Sequence, residues 1–311
     1  MAKNFNCVDA GTEYCPCILA DTMDCITCSQ LQGREFCDCE WNGVCILNEY
    51  YMNNKKVKDS RKDYKGMLIE KKKIEDKLYL LKIETEKELV KELNRAGSYI
   101  ILRGSKDKEY FNVPMSILKT ENNKYISILY KIRGSKTKAL NNNIEYIIRG
   151  PYWNGILGAR YLKEIKDSNC LVISKGMGQA SINLTIEEMI RNNNNVILFL
   201  DPGEFKNNYI NNFTSLEKIK IIEGKIEKDT EIIMKLIENE NVKLVFSAGS
   251  DLLHESIYKI IKNTNENIKF MTTNNSKICC GEGVCGACTN RIKEGQRVKL
   301  CKAKIQQKIF Y

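Results

Sequence analysis

Two rhythms of apolar and polar positions divide this chain. Between about Gly66 and Gly150 the apolar residues come in short β-branched and aromatic runs. Tyr79-Leu80-Leu81-Lys82-Ile83 and Tyr99-Ile100-Ile101-Leu102 have the content of buried strands, and stretches 125–132 and 144–148 repeat the type. Four to six such strands with glycine turns predict a small antiparallel barrel. After Pro151 the rhythm becomes strand, turn, helix. Leu171-Val172-Ile173 leads into Gly176-Met177-Gly178 and a helical pattern to Arg191. Val196-Ile197-Leu198-Phe199-Leu200 is a second strand, 230–240 a helix, 242–246 a third strand and 268–271 a fourth, with Ala248-Gly249 and another helix between the last two. That alternation predicts a doubly wound parallel sheet, whose ligands sit at the carboxyl ends of the strands, where Gly176, Gly178 and Gly249 fall.

Outside these stretches, cysteine dominates. Of 14 cysteines in 311 residues, eight lie in the first 50 and only Cys170 occurs between Cys45 and Cys279. The expected organisation is multidomain, α+β and α/β: a Cys-rich metal module over 1–50, a polar linker over 51–66, a β-barrel over 67–150, an α/β domain over 151–271 and a metal-loop domain over 272–311. The first nine residues are polar, and no apolar run approaches the roughly 20 residues of a membrane span. Many cysteines without an export signal read as metal ligands rather than disulfides, so a cytoplasmic setting with no membrane association is expected.

The formal charge of +10 fits a Lys/Asn/Ile-rich coding bias, with Asn runs at 141–143 and 192–195, or steering toward an acidic electron carrier such as ferredoxin. No basic helix interleaved with aromatic residues argues for nucleic acid. His254 is the sole histidine and reads as structural or surface. Metal sites must therefore be cysteine-based, and a His-dependent hydrolytic triad is excluded.

The sharpest motif is Cys280-Gly-Glu-Gly-Val-Cys285-Gly-Ala-Cys288, followed by Cys301. C-x4-C-x2-C with a distant fourth cysteine is the plant-type spacing of a [2Fe–2S] cluster. Gly281, Gly283 and Gly286 let a tight loop wrap a cluster and bring backbone N–H groups to its sulfurs. Paired C-x2-C knuckles, which zinc favours, are absent from this run.

A barrel, a nucleotide-type sheet and a C-terminal [2Fe–2S] loop resemble the electron-transfer subunits of dihydroorotate dehydrogenase and related sulfide dehydrogenase and ferredoxin:NADP oxidoreductase subunits, in the ferredoxin-reductase-like superfamily. The resemblance covers roughly 66–311. It implies FAD on the barrel, NAD(P) on the second domain, and a cluster passing electrons to a partner subunit. Pro114-Met115-Ser116-Ile117 matches the family's flavin-lining Arg-Pro-x-Ser segment, with Val113 in place of the Arg. Gly134-Ser135-Lys136-Thr137-Lys138-Ala139-Leu140 resembles its Gly-x-Gly-Thr-x-x-Leu phosphate loop. Gly150-Pro151-Tyr152-Trp153-Asn154-Gly155 resembles its interdomain junction. The nucleotide half departs further. Gly176-Met177-Gly178 replaces a longer glycine run, with Lys175 beside it as a phosphate partner, and Ala248-Gly249-Ser250 replaces Cys-Gly-Pro.

The N-terminal module lies outside the resemblance. Gly11-Thr12-Glu13-Tyr14-Cys15-Pro16-Cys17 and Gly33-Arg34-Glu35-Phe36-Cys37-Asp38-Cys39 repeat one pattern. Cys7 and Cys25 flank the first copy, Cys28 and Cys45 the second. The duplication predicts two metal sites, iron–sulfur or zinc, with ligands either grouped by copy or interleaved. The leading functional expectation is an NAD(P)H-dependent flavin and iron–sulfur oxidoreductase subunit. The alternatives are an electron-wire or scaffold subunit with a decayed nucleotide site and a zinc-bearing N-terminus, and a zinc-stabilised regulatory module.

Overall fold

The computed structural model describes residues 5–209, 219–292 and 295–305, so the last residues of the 272–311 segment lie outside the described residues. Two compact units emerge: residues 1–62 with 276–305, and residues 63–275. The two cysteine-rich ends thus belong to one unit, and the chain between them forms the other.

The N-terminal part of the first unit has little regular structure: β1 (Asn6–Cys7), α1 (Ile18–Asp21) and α2 (Ile46–Met52). Its small core is built largely from Cys7, Cys15, Cys28, Leu31 and Ile46. Both copies of the heptapeptide open on a left-handed glycine, Gly11 at φ 76° and Gly33 at φ 80°, so the sequence repeat is also a backbone repeat. Arg61, in the stretch expected as linker, is buried.

The second unit begins with β2 (Asp63–Glu75), β3 (Leu78–Glu84), α3 (Lys87–Leu93), β4 (Tyr99–Gly104), β5 (Val113–Ser116), β6 (Lys119–Glu121), β7 (Tyr125–Lys131), α4 (Ser135–Leu140) and β8 (Glu145–Tyr152). These strands make one antiparallel sheet in the order β5-β4-β8-β2-β3-β7-β6. Its two edges, β5 and β6, are joined by only Ile117 and Leu118, so the sheet must curl until they meet. Leu81, Ile83, Ile100, Leu102, Ile126, Ile128 and Ile148 fill the interior. Seven strands form where four to six are expected, because β5 and β6 are short and half-polar and leave a weak pattern.

The chain continues through β9 (Ile156–Leu157), α5 (Tyr161–Glu164), β10 (Asn169–Lys175), α6 (Asn183–Arg191), β11 (Asn195–Asp201), β12 (Ile219–Glu223), α7 (Thr230–Asn239), β13 (Val242–Ala248), α8 (Asp251–Thr264) and β14 (Lys269–Thr273). The sheet order is β12-β11-β10-β13-β14-β9, parallel except for β9. Successive residues of a strand face opposite sides. Cys170, Val172, Leu198 and Phe246 pack with Ile186 and Met189 of α6 on one face. Leu171, Ile173, Phe199 and Val245 pack with α7 and α8 on the other. Burial on both faces explains why these strands read as unbroken apolar runs. The strand order reverses between β10 and β13, which places a crevice at their carboxyl ends. The chain then returns to the first unit as β15 (Thr289–Arg291), β16 (Arg297–Lys299) and β17 (Ala303–Lys304), and β17 pairs with β1. No helix among the described residues is long and apolar enough to cross a membrane.

Candidate functional site

A cleft of about 750 Å³ opens in the second unit at that reversal. One wall is Pro114, Met115 and Ser116 of β5, with Thr137; the other is Gly176, Met177, Gly178, Gly249 and Ser250. Strand β5 ends its sheet and has a ladder partner on one side only, β4, which leaves its other edge for a ligand. Ile117 does not line the cleft; its side chain is buried in the barrel core. Of the 134–137 loop only Thr137 lines it. Its hydroxyl accepts the N–H groups of Arg133 (2.9 Å) and Gly134 (3.2 Å). The Lys136 ammonium donates instead to the Asn112 carbonyl at 3.0 Å, and Ser135 and Gly134 lie outside the lining. Gly134 has φ −163°, open to any residue, and a Cβ there would meet nothing within 4 Å.

On the sheet side, Gly176 sits at φ 55° at the end of β10, a conformation that favours glycine. Gly178 is needed for a different reason: a Cβ there would overlap the Ala248 carbonyl and the Gly249 N–H. Lys175 lines the cleft, but its ammonium is engaged by Glu227 and, at 3.7 Å, by the buried Asp201. Asp201 is held by the N–H groups of Gly203 (2.8 Å) and Ile226 (3.1 Å). Burial pushes its carboxyl up, but those N–H groups, Lys225 and Lys175 outweigh burial and keep it below the ordinary value.

Two cleft cations are not singled out by any motif. Lys131 (2.8 Å) and Arg133 (2.7 Å) both pair with Glu204, and all three line the cleft beside Thr137. They lie at the end of a strand and in the turn after it, where ordinary surface charges leave the same sequence signal. His254 is fully buried behind the cleft. Its Nδ1 meets Ser247 Oγ at 2.9 Å and its Nε2 meets Thr273 Oγ1 at 3.0 Å and Asn275 Nδ2 at 3.2 Å. Thr273 and Asn275 line the cleft, so the imidazole fixes two wall residues. Burial drives its pKa from 6.5 down to about 4, with Asp251 opposing.

In the first unit, Gly281, Gly283 and Gly286 all adopt φ between 73° and 77°. The loop they form points N–H groups at sulfur: Glu282 N–H to Cys280 Sγ at 3.3 Å and Cys301 N–H to Cys288 Sγ at 3.4 Å. The thiols pair as Cys280 with Cys285 and Cys288 with Cys301. The Cys301 thiol and neighbouring N–H groups pull Cys288 down to about 6. Burial raises Cys285, but the N–H groups of Ala287 and Cys280 and the Cys280 thiol more than reverse it. The Cys288 contact, together with burial, pushes the Cys301 thiol up. Among the described residues, no three Cys, Asp, Glu or His side chains converge as a ready single-ion site. Cys279 is exposed, and Cys170 is buried in β10, where burial raises its thiol to about 12.

A buried charge cluster that sequence reading did not single out sits in this same unit. Arg61 bonds Asp9 (2.6 Å) and Glu282 (3.2 Å), and Lys302 bonds Asp9 and Glu282 (2.7 Å). The Tyr14 ring covers the Arg61 guanidinium at 4.2 Å. Two cations and two carboxylates balance, with Arg61, Asp9 and Lys302 almost inaccessible to solvent and Glu282 partly exposed. Burial raises Asp9, but Lys302 and Arg61 overcome it and hold the carboxyl below its ordinary value.

No family model matches the sequence. Over 239 residues, 74% of this chain and 89% of the relative, it is 26% identical to the electron transfer subunit of dihydroorotate dehydrogenase B (NAD(+)) from Clostridium acetobutylicum. The fold is shared with the NADH-dependent reduced ferredoxin-NADP oxidoreductase, at TM-score 0.63 and 18% identity over 76% of this chain and 85% of that one. It is also shared with the ferredoxin-NADP+ reductase from Plasmodium falciparum solved with 2'P-AMP, at TM-score 0.51 and 12% identity over 67% of this chain and 96% of that one. These three proteins are oxidoreductases by name.

Proposed function

We propose that this chain is the electron-transfer subunit of an NAD(P)H-dependent oxidoreductase, holding FAD in the cleft and a [2Fe–2S] cluster in the C-terminal loop. The observation that carries the reading is the convergence of Pro114, Met115, Ser116 and Thr137 with Gly176, Gly178 and Gly249 on one cleft at the sheet's reversal point. Bound flavin would supply the conversion of a two-electron hydride into single electrons. The chain's own residues bind and orient. The free edge of β5 would hold the flavin ring edge, and Ser116 would reach its central region. Lys131 and Arg133, released from Glu204, would take the pyrophosphate charge that the family's Arg, here Val113, does not supply.

The fit for the cluster rests on donor chemistry. Four thiols in two pairs match two irons taking two sulfurs each, and the N–H groups on Cys280 and Cys288 favour thiolates. Electrons would leave through this loop to a partner subunit, as the curated relative's name implies for that protein, or to an acidic carrier such as ferredoxin. One observation favours the second reading, an electron wire without nucleotide turnover: Lys175 is already neutralised by Glu227 and Asp201.

The test is the full-length protein purified without oxygen, with flavin, iron and sulfide counted and NADH or NADPH added. Flavin that bleaches with either nucleotide, and a reducible [2Fe–2S] signal, are expected. Thr137→Glu would place a carboxylate beside the phosphates, where like charges about 4 Å apart repel by about 4 kcal/mol at an effective dielectric of 20. Solvent screening reduces that figure, and at least a tenfold weaker hold on FAD is expected. A wild-type protein that takes up no FAD on reconstitution overturns the flavin assignment. Bound flavin that neither nucleotide reduces selects the electron-wire reading.

A further inference from the structure

We propose that Cys7, Cys15, Cys17 and Cys25, which line one cavity without yet converging as a single-ion site, are drawn together as the four ligands of one thiolate metal centre, separate from a second set made of Cys28, Cys37, Cys39 and Cys45. It does not depend on the flavin reading. Two features support it.

The first is placement. All four thiols line one small cavity in the first unit, closed otherwise by Asp9, Pro16, Leu19, Ala20, Ile26 and Ile46. None of the second set lines it. Cys37 and Cys39 instead approach each other at 3.8 Å, and Cys37 and Cys45 are exposed. By the lining of this cavity the ligands group by copy of the repeat, with Cys28 packed in the same small core as Cys7 and Cys15 but outside the cavity.

The second is a hydrogen-bond donor. One sulfur of the first set, Cys25 Sγ, has a backbone N–H directed at it, that of Cys28, the first residue of the second set. The Cys28 N–H lies 3.4 Å from Cys25 Sγ. A neutral thiol is a poor acceptor, whereas a metal-bound thiolate uses such donors to spread its charge.

The ligand chemistry is shared by zinc and iron–sulfur clusters, and metal analysis separates the two. Iron, acid-labile sulfide and zinc are to be counted on the full chain purified anaerobically, as wild type, Cys17→Ser and Cys39→Ser. Cys17→Ser should lose one centre's complement of metal and Cys39→Ser should spare it. Iron lost with sulfide makes the first centre a cluster, and zinc lost alone makes it a zinc site. As a check free of folding effects, wild type is alkylated before and after a chelator, and modified cysteines are mapped by mass. Cys7, Cys15, Cys17 and Cys25 should become reactive together when metal is withdrawn. Unchanged metal in Cys17→Ser, loss of all N-terminal metal in both variants, or chelator-independent labelling of the four overturns the proposal.

Discussion

At the scale of single residues, His254 makes the most direct pH prediction. Its folded pKa of about 4 lies below the unfolded 6.5, so the folded chain binds fewer protons between those values. Stability is fully present above pH 6.5 and falls as pH drops toward 4. By pH 5 the loss is on the order of 2 kcal/mol. Denaturant unfolding from pH 7.5 to 5 should show this slope, and His254→Gln should flatten it by more than half. An unchanged slope in the variant would assign the titration elsewhere. The sequence leaves this histidine structural or surface; the structure buries it, and its partners stayed out of sight because Ser247, Thr273 and Asn275 come from other elements. The same limit hid Asp9, Arg61 and Lys302. A buried charge looks like any surface charge until chain segments far apart in sequence are brought together. The cysteines were legible because their spacing is local.

At the scale of elements, the strand and helix rhythm was read well where strands are buried on both faces. It was weaker at edges: β12 alternates half-buried and exposed positions, and β9 has two residues. The turn after β10 shows why a motif can be located yet misjudged. Gly176-Met177-Gly178 reads as a phosphate turn, but Gly178 is also a packing requirement, since the 176–181 turn lies directly on the end of β13. Gly178→Ala should therefore destabilise the second unit by about 1–3 kcal/mol even without any nucleotide, as overpacking does. Thermal unfolding of flavin-depleted protein measures it, and a neutral substitution would show that the turn can move aside. Gly134→Ala, by contrast, meets open space at an extended φ, so any effect it has on flavin binding would come from contact with the ligand.

At the scale of the whole molecule, the organisation departs from a row of modules. The first 62 residues and 276–305 share one body, with β1 paired to β17, Asp9 bonded to Lys302, and Leu19 within 2.9 Å of where a Cβ on Gly283 would lie. Sequence reading placed the two cysteine groups at opposite ends because nothing local announces a two-residue strand pairing. Deleting residues 1–62 should leave the 63–275 unit folded and able to bind FAD, yet abolish the [2Fe–2S] signal of the C-terminal loop. Retention of that signal would mean that the loop holds its cluster without the N-terminal half. The pairing of β1 with β17 also orders events during synthesis. Cys7 to Cys45 leave the ribosome with neither Lys302 nor β17 yet made. At 5–20 residues per second, those partners follow roughly ten or more seconds later. Completion of the first body must wait for residues 302–304, so the 63–275 unit can fold before the N-terminal cysteines are enclosed, and any metal they take would be closed in after that unit has formed.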